Sequence, residues 1–401
     1  MTDVLSYPIR RQEPGLLPPE YEALRERGIG RVRMPTGHLA WLVVNPDYAR
    51  LVLSDPRFSA NKLLPDFPRL SPRPMEKLKH CAPFLVNMDG REHALAKKPV
   101  VQELSPQRVA EARPRLQGAV DEIIDAVLGR PEKPVDLVQE LSYPVAWRLQ
   151  ELLLGLPTAE LVTMRQNIWD LVVTAGTEDE EVAAAARLHE HVADVLAEKE
   201  KHLGDDIVSH AIEQQLAEYG KVDRYELSSL VLALAFGVHH SVATMVSLGV
   251  LTLLTHTDER AVLLGQPDRM TVAVGEMLRY FSINDATPLR LALEDVRVGD
   301  TLIRAGDGVA VPTLPVNRDP AVCPFPNRLD LLRERPTSHL AFGYGPHRCV
   351  GAHLAPVLLG MVFTTLFERI PTLELAVAEA ELEFKYHSQQ SFGPSELPVT
   401  W

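Results

Sequence analysis

The sequence predicts a mainly α-helical protein with small β-sheets, built as a single domain over residues 1–401. Three observations support this fold class. Apolar residues recur at helical spacing over most of the chain, strand-like alternation is confined to two regions, and no linker or repeat divides the sequence. Because 46% of the residues are hydrophobic, the chain can bury a large core.

Strand patterns occur near the N-terminus and again past the middle of the chain. Residues Gly30–Val44 and Leu289–Val311 alternate apolar and polar side chains, as half-buried strands do. Gly299 and Gly306 interrupt the second region, which predicts a hairpin there. Dense prolines predict two long loops, Leu63–Pro74 and Thr313–Pro326.

Five segments repeat apolar residues at i, i+3 and i+4, which predicts the helices Pro106–Leu128, Val135–Leu154, Glu181–His202, Asp223–His256 and Thr271–Phe281. Asp223 is predicted to cap the fourth helix, and Glu226, three residues on, completes the pattern of a capping box. The acidic run Glu178–Glu181 predicts a solvated loop that leads into the third helix.

Leu230–Thr255, within the fourth helix, is long and apolar enough to cross a bilayer. His239, His240, Ser241 and Ser247 interrupt it, and no belt of Trp or Tyr flanks it. In a chain of this length, a helix that is apolar on all sides is more often the buried axis of a globular domain. The expectation is a buried helix and no membrane contact.

Charge and cysteine content exclude several classes of protein. The chain has 41 basic and 54 acidic residues and a net charge of −13, which argues against nucleic-acid binding. Cys81, Cys323 and Cys349 form neither a disulfide framework nor a zinc-binding pattern. The N-terminus lacks the apolar segment of a signal peptide. These features predict a soluble cytoplasmic protein, expected to be a monomer.

A glycine-broken turn between residues 338 and 356 runs into an apolar helix and carries the pattern F-x-x-G-x-H-x-C-x-G, formed by Phe342, Gly345, His347, Cys349 and Gly351. Glycines let the backbone approach a flat group closely, and the following helix N-terminus would stabilise a negative sulfur. By itself, the cysteine fits a ligand beneath a planar anionic cofactor, a catalytic nucleophile or a small buried hydrophobe.

Further motifs stand in a fixed order along the chain. Glu276 and Arg279 form E-x-x-R on a predicted helix, and the accompanying segments are Met88–His93, Asn317–Pro320, Pro326–Leu329 and Leu397–Trp401. With the cysteine turn, this ordered set resembles the cytochrome P450 superfamily, specifically the soluble bacterial type of secondary-metabolite pathways. The resemblance implies the P450 fold, a single triangular-prism domain with haem between the central long helix and the cysteine-ligand loop.

The resemblance also implies a haem b cofactor and assigns residues to it. Cys349 is implied to be the iron ligand, and the other implied haem contacts are His93, Lys97, Arg290, His347, Phe342, Gly345 and Gly351. Glu276 and Arg279 are implied to form a buried ion-pair network with Arg328. Two positions depart from the family pattern: Lys97 stands where Arg is usual, and Pro356, early in the helix after Cys349, predicts a lost hydrogen bond or a kink.

The central helix lacks the acid and threonine that the family uses for proton delivery. His240 stands at the acid position and Val242 at the threonine position. One hypothesis reroutes protons through water, Ser241, a histidine or a substrate hydroxyl, so that ordinary hydroxylation or epoxidation continues. Another is an atypical oxidation, such as C–C or C–N coupling, desaturation or rearrangement. In a third, the register is shifted by one residue and His239 or His240 is purely structural.

The resemblance implies a substrate pocket formed by five segments, and the residues expected to contact substrate are Phe84, Phe236, His240, Asn284, Thr287, Gln390 and Phe392. Aromatic side chains with several polar groups favour a medium-sized substrate that carries heteroatoms. A cyclic dipeptide, an aromatic polyketide or a macrocycle would fit.

The implied activity is that of a P450 oxidoreductase, a monooxygenase or an oxidative coupling enzyme that consumes O₂. Electrons would come from NAD(P)H through a ferredoxin reductase and a ferredoxin, which we expect to dock near Arg348 and Lys97 or Lys98. A haem-binding sensor or carrier without catalysis is the alternative from another class. A peroxide-driven enzyme is disfavoured because no arginine lies between Glu226 and Glu259.

Overall fold

The computed structural model describes residues 4–70, 85–171, 177–284, 286–335, 337–387 and 391–401. Helices dominate this part of the chain. They are α1 (Pro19–Arg25), α2 (Pro46–Ser54), α3 (Gly90–Glu103), α4 (Pro106–Leu128), α5 (Tyr143–Leu154), α6 (Thr158–Trp169), α7 (Glu178–Lys199), α8 (Ile207–Tyr219), α9 (Arg224–Gly237), α10 (His239–Thr255), α11 (Thr257–Leu264), α12 (Pro267–Phe281), α13 (Thr313–Asn317) and α14 (Leu354–Arg369).

The strands are short. They are β1 (Leu5–Ser6), β2 (Ile29–Arg33), β3 (Leu39–Val43), β4 (Phe58–Ser59), β5 (Val135–Asp136), β6 (Leu289–Ala292), β7 (Val296–Val298), β8 (Thr301–Ile303), β9 (Gly308–Ala310), β10 (Glu374–Leu375), β11 (Phe384–Tyr386), β12 (Phe392–Pro394) and β13 (Pro398–Thr400). The mainly α class with small sheets is therefore confirmed.

The main sheet joins the two predicted strand regions. Its order is β1-β2-β3-β9-β6-β4, and β9 lies parallel to β3, with Trp41 opposite Val309. The second predicted strand region, Leu289–Val311, forms two antiparallel strand pairs, one inside the other, rather than one hairpin. The outer pair, β6 with β9, sets Leu289 opposite Ala310, and the inner pair, β7 with β8, turns at Gly299 (φ +58°).

Several predicted elements match the structure and others differ for local reasons. The helix predicted over Pro106–Leu128 is α4, with identical bounds. The segment Val135–Leu154 divides instead into β5, a π-helical turn (Val138–Ser142) and α5. The predicted loop Thr313–Pro326 begins with the short helix α13, because a proline at a helix N-terminus costs no hydrogen bond.

Helix starts differ from the sequence prediction at two caps. The acidic run Glu178–Glu181 is the first turn of α7 rather than a loop, because Thr177 and Glu180 form a full capping box. At α9, Asp223 accepts from the backbone N–H groups of Tyr225 and Glu226, as predicted. The predicted bond from the Glu226 carboxylate back to the Asp223 N–H is replaced by Gln215. Gln215 Oε1 accepts from the Asp223 N–H, and its Nε2 donates to the Glu226 carboxylate.

The predicted central helix is interrupted at Val238, so that α9 and α10 are separate helices. The break leaves backbone carbonyls near the end of α9 without helical donors. Gln150 of α5, only 1% exposed, donates from Nε2 to the carbonyl of Ala235 (2.6 Å) and to that of Leu234 (3.4 Å). A side chain from a neighbouring helix thus satisfies the interrupted backbone.

The helical core forms where α10 crosses its neighbours α5, α12 and α14. A Cβ atom on Gly249 of α10 would lie 2.0 Å from Cζ of Phe363, so this crossing requires glycine. The stretch Arg224–Thr255 has the length and hydropathy of a membrane span, with a mean hydropathy of 1.6. In its most apolar window, 61% is buried inside the protein, which agrees with the expected core helix.

Candidate active site

The cysteine turn is closed by a backbone hydrogen bond. The Cys349 N–H donates to the Phe342 carbonyl at 2.8 Å. Gly343 and Gly345 both have φ of +70°, a conformation that favours glycine. A Cβ on Gly345 would also lie 2.6 Å from the carbonyl oxygen of Leu53 at the end of α2. Gly345 therefore lets the turn sit directly on α2, and the turn presents Cys349 at its far side.

The Cys349 side chain is exposed to solvent, yet protein surrounds it closely enough that burial raises the pKa of its thiol. An accessible group among dense protein lies at the floor of a cavity. The Gly351 N–H and the charges of Lys97 and Arg348 oppose the rise and favour the thiolate. A Cβ on Gly351 would lie 3.7 Å from Sγ, so glycine leaves the sulfur uncovered.

Lys97 contacts the backbone of the cysteine turn. Its Nζ donates to the carbonyl oxygens of Pro346 (2.6 Å) and Arg348 (2.7 Å). The haem contact expected of Lys97 stays a prediction. The contribution of Lys97 is to hold the turn against α3 and to place a positive charge near the sulfur.

Two histidines stack beside the cysteine turn. The rings of His93 in α3 and His347 have centroids 4.0 Å apart at an interplanar angle of 25°. His347 Nε2 lies 3.5 Å from Asp89 Oδ1, and Asp89 also accepts from the Ser59 hydroxyl and the Ala60 N–H. Although burial opposes it, these bonds lower the pKa of Asp89 to about 2. Burial, then the charges of His347 and Lys97, lower the pKa of His93 to about 4.

Arg290 on β6 carries a buried nitrogen with no partner. The residue is 4% exposed, and its Nη1 donates to the Leu289 carbonyl, but Nη2 has no hydrogen bond to any residue that the structure describes. Burial lowers the pKa of Arg290 to about 10, against the opposing charge of Asp89. Lys62 lies close enough that, after burial, the Arg290 charge also lowers its pKa.

This donor set fits haem. A thiol at the floor of a cavity, stacked imidazoles and an orphaned guanidinium beside a second cation suit a flat iron-binding group that carries carboxylates. The buried Arg290 Nη2 needs an acceptor, and a propionate would provide one.

Glu276 and Arg279 form a buried bidentate ion pair on α12. Nε donates to Oε2 and Nη2 to Oε1, both at 2.8 Å. Arg279 Nη1 also donates to the carbonyls of Asn317 (2.9 Å) and Pro326 (2.8 Å). Although burial opposes it, hydrogen bonds from Arg279 lower the pKa of Glu276. The pair therefore ties α12 to the segment before the cysteine turn.

The third member of this network differs from the prediction. Arg328 is exposed and contributes only its carbonyl, which accepts from Arg279 Nη2 at 3.2 Å. The second guanidinium at Glu276 belongs to Arg333, whose Nη2 lies 3.2 Å from Oε1. A spacing of five residues separates the two arginines, and only the path of the loop decides which one turns inward.

His240, at the start of α10, is held by Arg165 of α6. Arg165 Nη2 lies 3.0 Å from His240 Nε2. Because a guanidinium can only donate, Nε2 must be the acceptor and the ring proton lies on Nδ1. Burial, then the charges of Arg165 and His387, lower the pKa of His240 to about 4. His240 is therefore neutral at pH 7, and its Nδ1 is buried without a partner.

His239 packs among aromatic rings, and its ring also meets the His240 ring edge-on, with 5.3 Å between centroids. Its ring is stacked on Tyr143 (5.3 Å between centroids, 10°) and lies 4.1 Å from Trp147. The residue is 2% exposed, and burial, then the Arg165 charge, lower its pKa to about 3. Tyr143 in turn contacts His387 Nδ1 at 3.4 Å. His239 thus has the surroundings of a structural core histidine.

The break at Val238 exposes one face of the chain where α9 ends and α10 begins. Phe236 is 63% exposed, and a Cβ on Gly237 would meet no atom within 4 Å. Ser241 is half-buried, and its hydroxyl has no hydrogen bond to any residue that the structure describes. Val242 is also half-buried, and its N–H donates to the Val238 carbonyl at 3.0 Å. This face is open to a small molecule.

The remaining predicted pocket residues divide into three groups. Phe84 and Gln390 lie outside the described residues. Asn284 and Thr287 are half-buried on the segment after α12, where the Asn284 carbonyl accepts from Thr313. Phe392 is 3% exposed and packs on the rings of Phe384 and Tyr386, and its strand β12 lies against α10, so its contact with substrate stays a prediction.

Pro356 neither kinks α14 nor costs a hydrogen bond. A 3₁₀ turn (Val350–Ala352) follows the cysteine, and α14 begins only at Leu354. Pro356 is thus the third residue of the helix, where a backbone N–H has no intrahelical acceptor. The prediction was wrong because it started the helix too early.

Sequence reasoning missed four residues of this region: Lys62, Gln150, Arg165 and Arg333. Lys62 falls inside Asn61–Phe84 and Arg165 stands one residue before Gln166–Val173, two of the five segments that the resemblance implies for the pocket. Gln150 and Arg333 carried no sequence signal, because each acts through a contact between elements distant in sequence.

Comparisons with known proteins bear on identity. A model of the family "Cytochrome P450" matches residues 270–378. The chain is 36% identical over 398 residues to pentalenic acid synthase of Streptomyces avermitilis (99% of this chain, 97% of the relative) and 34% identical over 404 residues to vitamin D3 dihydroxylase of Streptomyces griseolus (100% and 98%).

The fold comparison agrees. The crystal structure of cytochrome P450 MoxA from Nonomuraea recticatena superposes with a TM-score of 0.86 at 40% identity, covering 99% of this chain and 98% of that one. Full-length identity of this size, with the cysteine turn and the buried E-x-x-R pair, establishes that the chain belongs to the cytochrome P450 family and is an oxidoreductase with haem b as its cofactor.

Proposed function

We propose that Cys349 would ligate the haem iron and that Arg290, Lys62, His93 and His347 would bind the propionates. The observations that carry this proposal are the buried Arg290 Nη2, which has no acceptor among the described residues, and the solvent-accessible Cys349 thiol. When bound, haem with a thiolate ligand supplies oxidation by dioxygen, because the thiolate favours O–O cleavage. Lys97, Arg348 and the Gly351 N–H oppose the effect of burial on the pKa of the thiol and so favour the thiolate.

We infer further that the enzyme oxidises a small natural product by an atypical route, such as C–C or C–N coupling or rearrangement. The support is the lack of the usual pair of an acid and a hydroxyl at the helix break. His240 is neutral at pH 7 and its Nε2 is occupied by Arg165, while Val242 has no hydroxyl. Proton delivery would therefore depend on Ser241, on water or on the substrate, and we take this departure as favouring an oxidation other than ordinary hydroxylation.

Ordinary hydroxylation is the second candidate function. The Ser241 hydroxyl carries no hydrogen bond among the described residues and stands beside His240, so a water or a substrate hydroxyl can complete a relay there. The similarity to a vitamin D3 dihydroxylase favours this candidate.

Val242→Thr separates the two routes. An optical titration of the ferric enzyme against natural-product scaffolds, cyclic dipeptides included, first selects a substrate. Coupling predicts that neither the wild type nor Val242→Thr incorporates label from ¹⁸O₂ into the main product. Labelled product from the wild type would contradict coupling, and a gain of roughly tenfold or more in product per NADPH with Val242→Thr would support hydroxylation limited by proton supply. Ser241→Ala is the matched control, because it removes the remaining hydroxyl.

We propose that a ferredoxin, reduced from NAD(P)H by its reductase, docks at the face of α3 and the cysteine turn. Lys98 and Arg348 are exposed there, and Arg91 adds a third exposed cation. A local positive patch on a chain of net charge −13 attracts an acidic partner selectively. We also propose that the protein is cytoplasmic and monomeric.

A further inference from the structure

The guanidinium of Arg165 lacks the acidic partner that other arginines nearby possess. Its contacts are His240 Nε2 at 3.0 Å and the ring of Trp147 at 5.7 Å. No carboxylate in the described part of the chain lies within ion-pair distance of it. By contrast, Arg148 on the adjacent helix α5 pairs with Glu122 (3.2 Å) and Glu151 (3.0 Å). Arg165 therefore keeps an uncompensated positive charge in a half-buried position.

No carboxylate is among the groups that act on Arg165 in the described part of the chain. His240 contacts it, His239 precedes His240 on the same helix, and Tyr143 acts on it from α5. Tyr143 in turn contacts His387 and senses the charge of Asp136. Burial lowers the pKa of Arg165, and Tyr143 is the group that opposes this shift. An arginine desolvated without a counter-ion costs folding free energy, which a bound anion would recover.

The position of Arg165 connects this charge to the pocket. Its partner His240 lies four residues after Phe236, which is 63% exposed, and across the break between α9 and α10. Because Arg165 contacts His240, a molecule seated at this break would lie close to the guanidinium.

We propose that Arg165 binds a carboxylate of the substrate, so that the enzyme acts on carboxylic acids. The proposal rests on the proposed oxidation at Cys349 and adds a substrate class to it. Arginine suits this task, because its planar fork offers parallel N–H groups to both oxygens of a carboxylate. The acid replaces His240 Nε2 as an acceptor of the Arg165 N–H group or shares the guanidinium with it.

Carboxylate binding has a consequence for His240. The negative charge would offset Arg165 and release Nε2, so the pKa of His240 would rise from about 4. Substrate binding would thus make His240 easier to protonate than it is in the resting enzyme. Tyr143, His239 and His387 face the same space and contribute no negative charge at pH 7.

Matched pairs of acid and amide test the proposal on the haem-loaded enzyme. The probes are 4-phenylbutanoate with 4-phenylbutanamide and dodecanoate with dodecanamide, titrated by calorimetry. We expect the wild type to bind at least one acid about tenfold more tightly than its amide, because a charged hydrogen bond replaces a neutral one. Arg165→Gln should bring the ratio to about one, and Arg165→Lys should retain part of it. Arg148→Gln, whose arginine is already paired, should keep the full ratio.

Equal affinity for acid and amide in the wild type, an unchanged ratio in Arg165→Gln, or no acid binding would each overturn the proposal. The spectrum of the reduced carbon-monoxide complex of the same samples reports thiolate ligation. A normal spectrum without acid preference refutes the role of Arg165 alone, whereas an abnormal wild-type spectrum refutes that of Cys349. Calorimetry at pH 6 in two buffers adds a second readout: proton uptake with the acid and not with the amide supports the effect on His240, and its absence overturns that effect.

Discussion

At the scale of single residues, identical side chains take opposite roles because of what packs around them. His239 and His240 are adjacent in sequence, yet the first is enclosed by Tyr143 and Trp147 and the second contacts Arg165. The sequence predicted that both histidines lie near the middle of one long helix, and it left open which of the two has only a structural role. Only the direction of each ring relative to α5 and α6 separates them, because consecutive helical residues point about 100° apart.

Acid should destabilise the folded state through His239. The unfolded chain binds a proton there below pH about 6.5, whereas the folded protein does so only near 3, where burial has lowered the pKa. Stability is therefore lost as the pH falls from 6.5 toward 3. We expect His239→Gln to reduce the drop in unfolding free energy between pH 7 and pH 5 by about 1–2 kcal/mol.

Urea unfolding followed by circular dichroism at the two pH values measures this drop. His202→Gln is the control, because His202 is largely exposed after α7 and should leave the pH dependence unchanged. An equal effect of the two substitutions would contradict the assignment of His239 as a buried neutral core residue.

At the scale of elements, the pattern of apolar residues predicted most helices, but it did not predict where a helix would be interrupted. The stretch Asp223–His256 has helical spacing throughout, and the interruption at Val238 depends on Gln150 from α5 to satisfy the freed carbonyls. Likewise, Arg333 rather than Arg328 reaches Glu276, because the chain between α13 and the cysteine turn sets the direction of each side chain.

Removing the carboxylate of Glu276 should cost more than removing its peripheral partner. Glu276→Gln leaves the fully buried Arg279 without its counter-ion, which we expect to cost about 3–5 kcal/mol and to reduce haem incorporation. Arg333→Gln removes a guanidinium whose side chain is 15% exposed, and its cost should be less than half as large. Thermal unfolding and haem content per chain measure both. Equal losses in the two variants would show that Arg333 is as essential as the pair on α12.

At the scale of the whole molecule, charge is unevenly distributed. The chain is acidic overall, whereas the face formed by α3 and the cysteine turn carries Arg91, Lys98 and Arg348. Long-range attraction to an acidic protein acts mainly on the association rate and weakens with salt.

Reversing one charge of this face should slow electron delivery. We expect Lys98→Glu to lower kcat/KM for reduced ferredoxin by about three- to tenfold at low salt and to flatten its salt dependence. Lys201→Glu is the control, because Lys201 is also exposed but lies after α7. Steady-state turnover at several ferredoxin and salt concentrations gives both values. A similar loss in the two variants would place docking elsewhere.

The sequence by itself determined the family, the iron ligand expected at Cys349, the E-x-x-R pair and the mainly helical class, because those features are local in spacing or repeat along one element. Tertiary structure decided which cations face the cofactor cavity and which brace the backbone, as Lys97 and the orphaned Arg290 illustrate. It also decided that Arg165 meets His240, 75 positions later in the chain. Such pairings depend on the packing of distant helices, and periodicity within one helix carries no information about its neighbour's register.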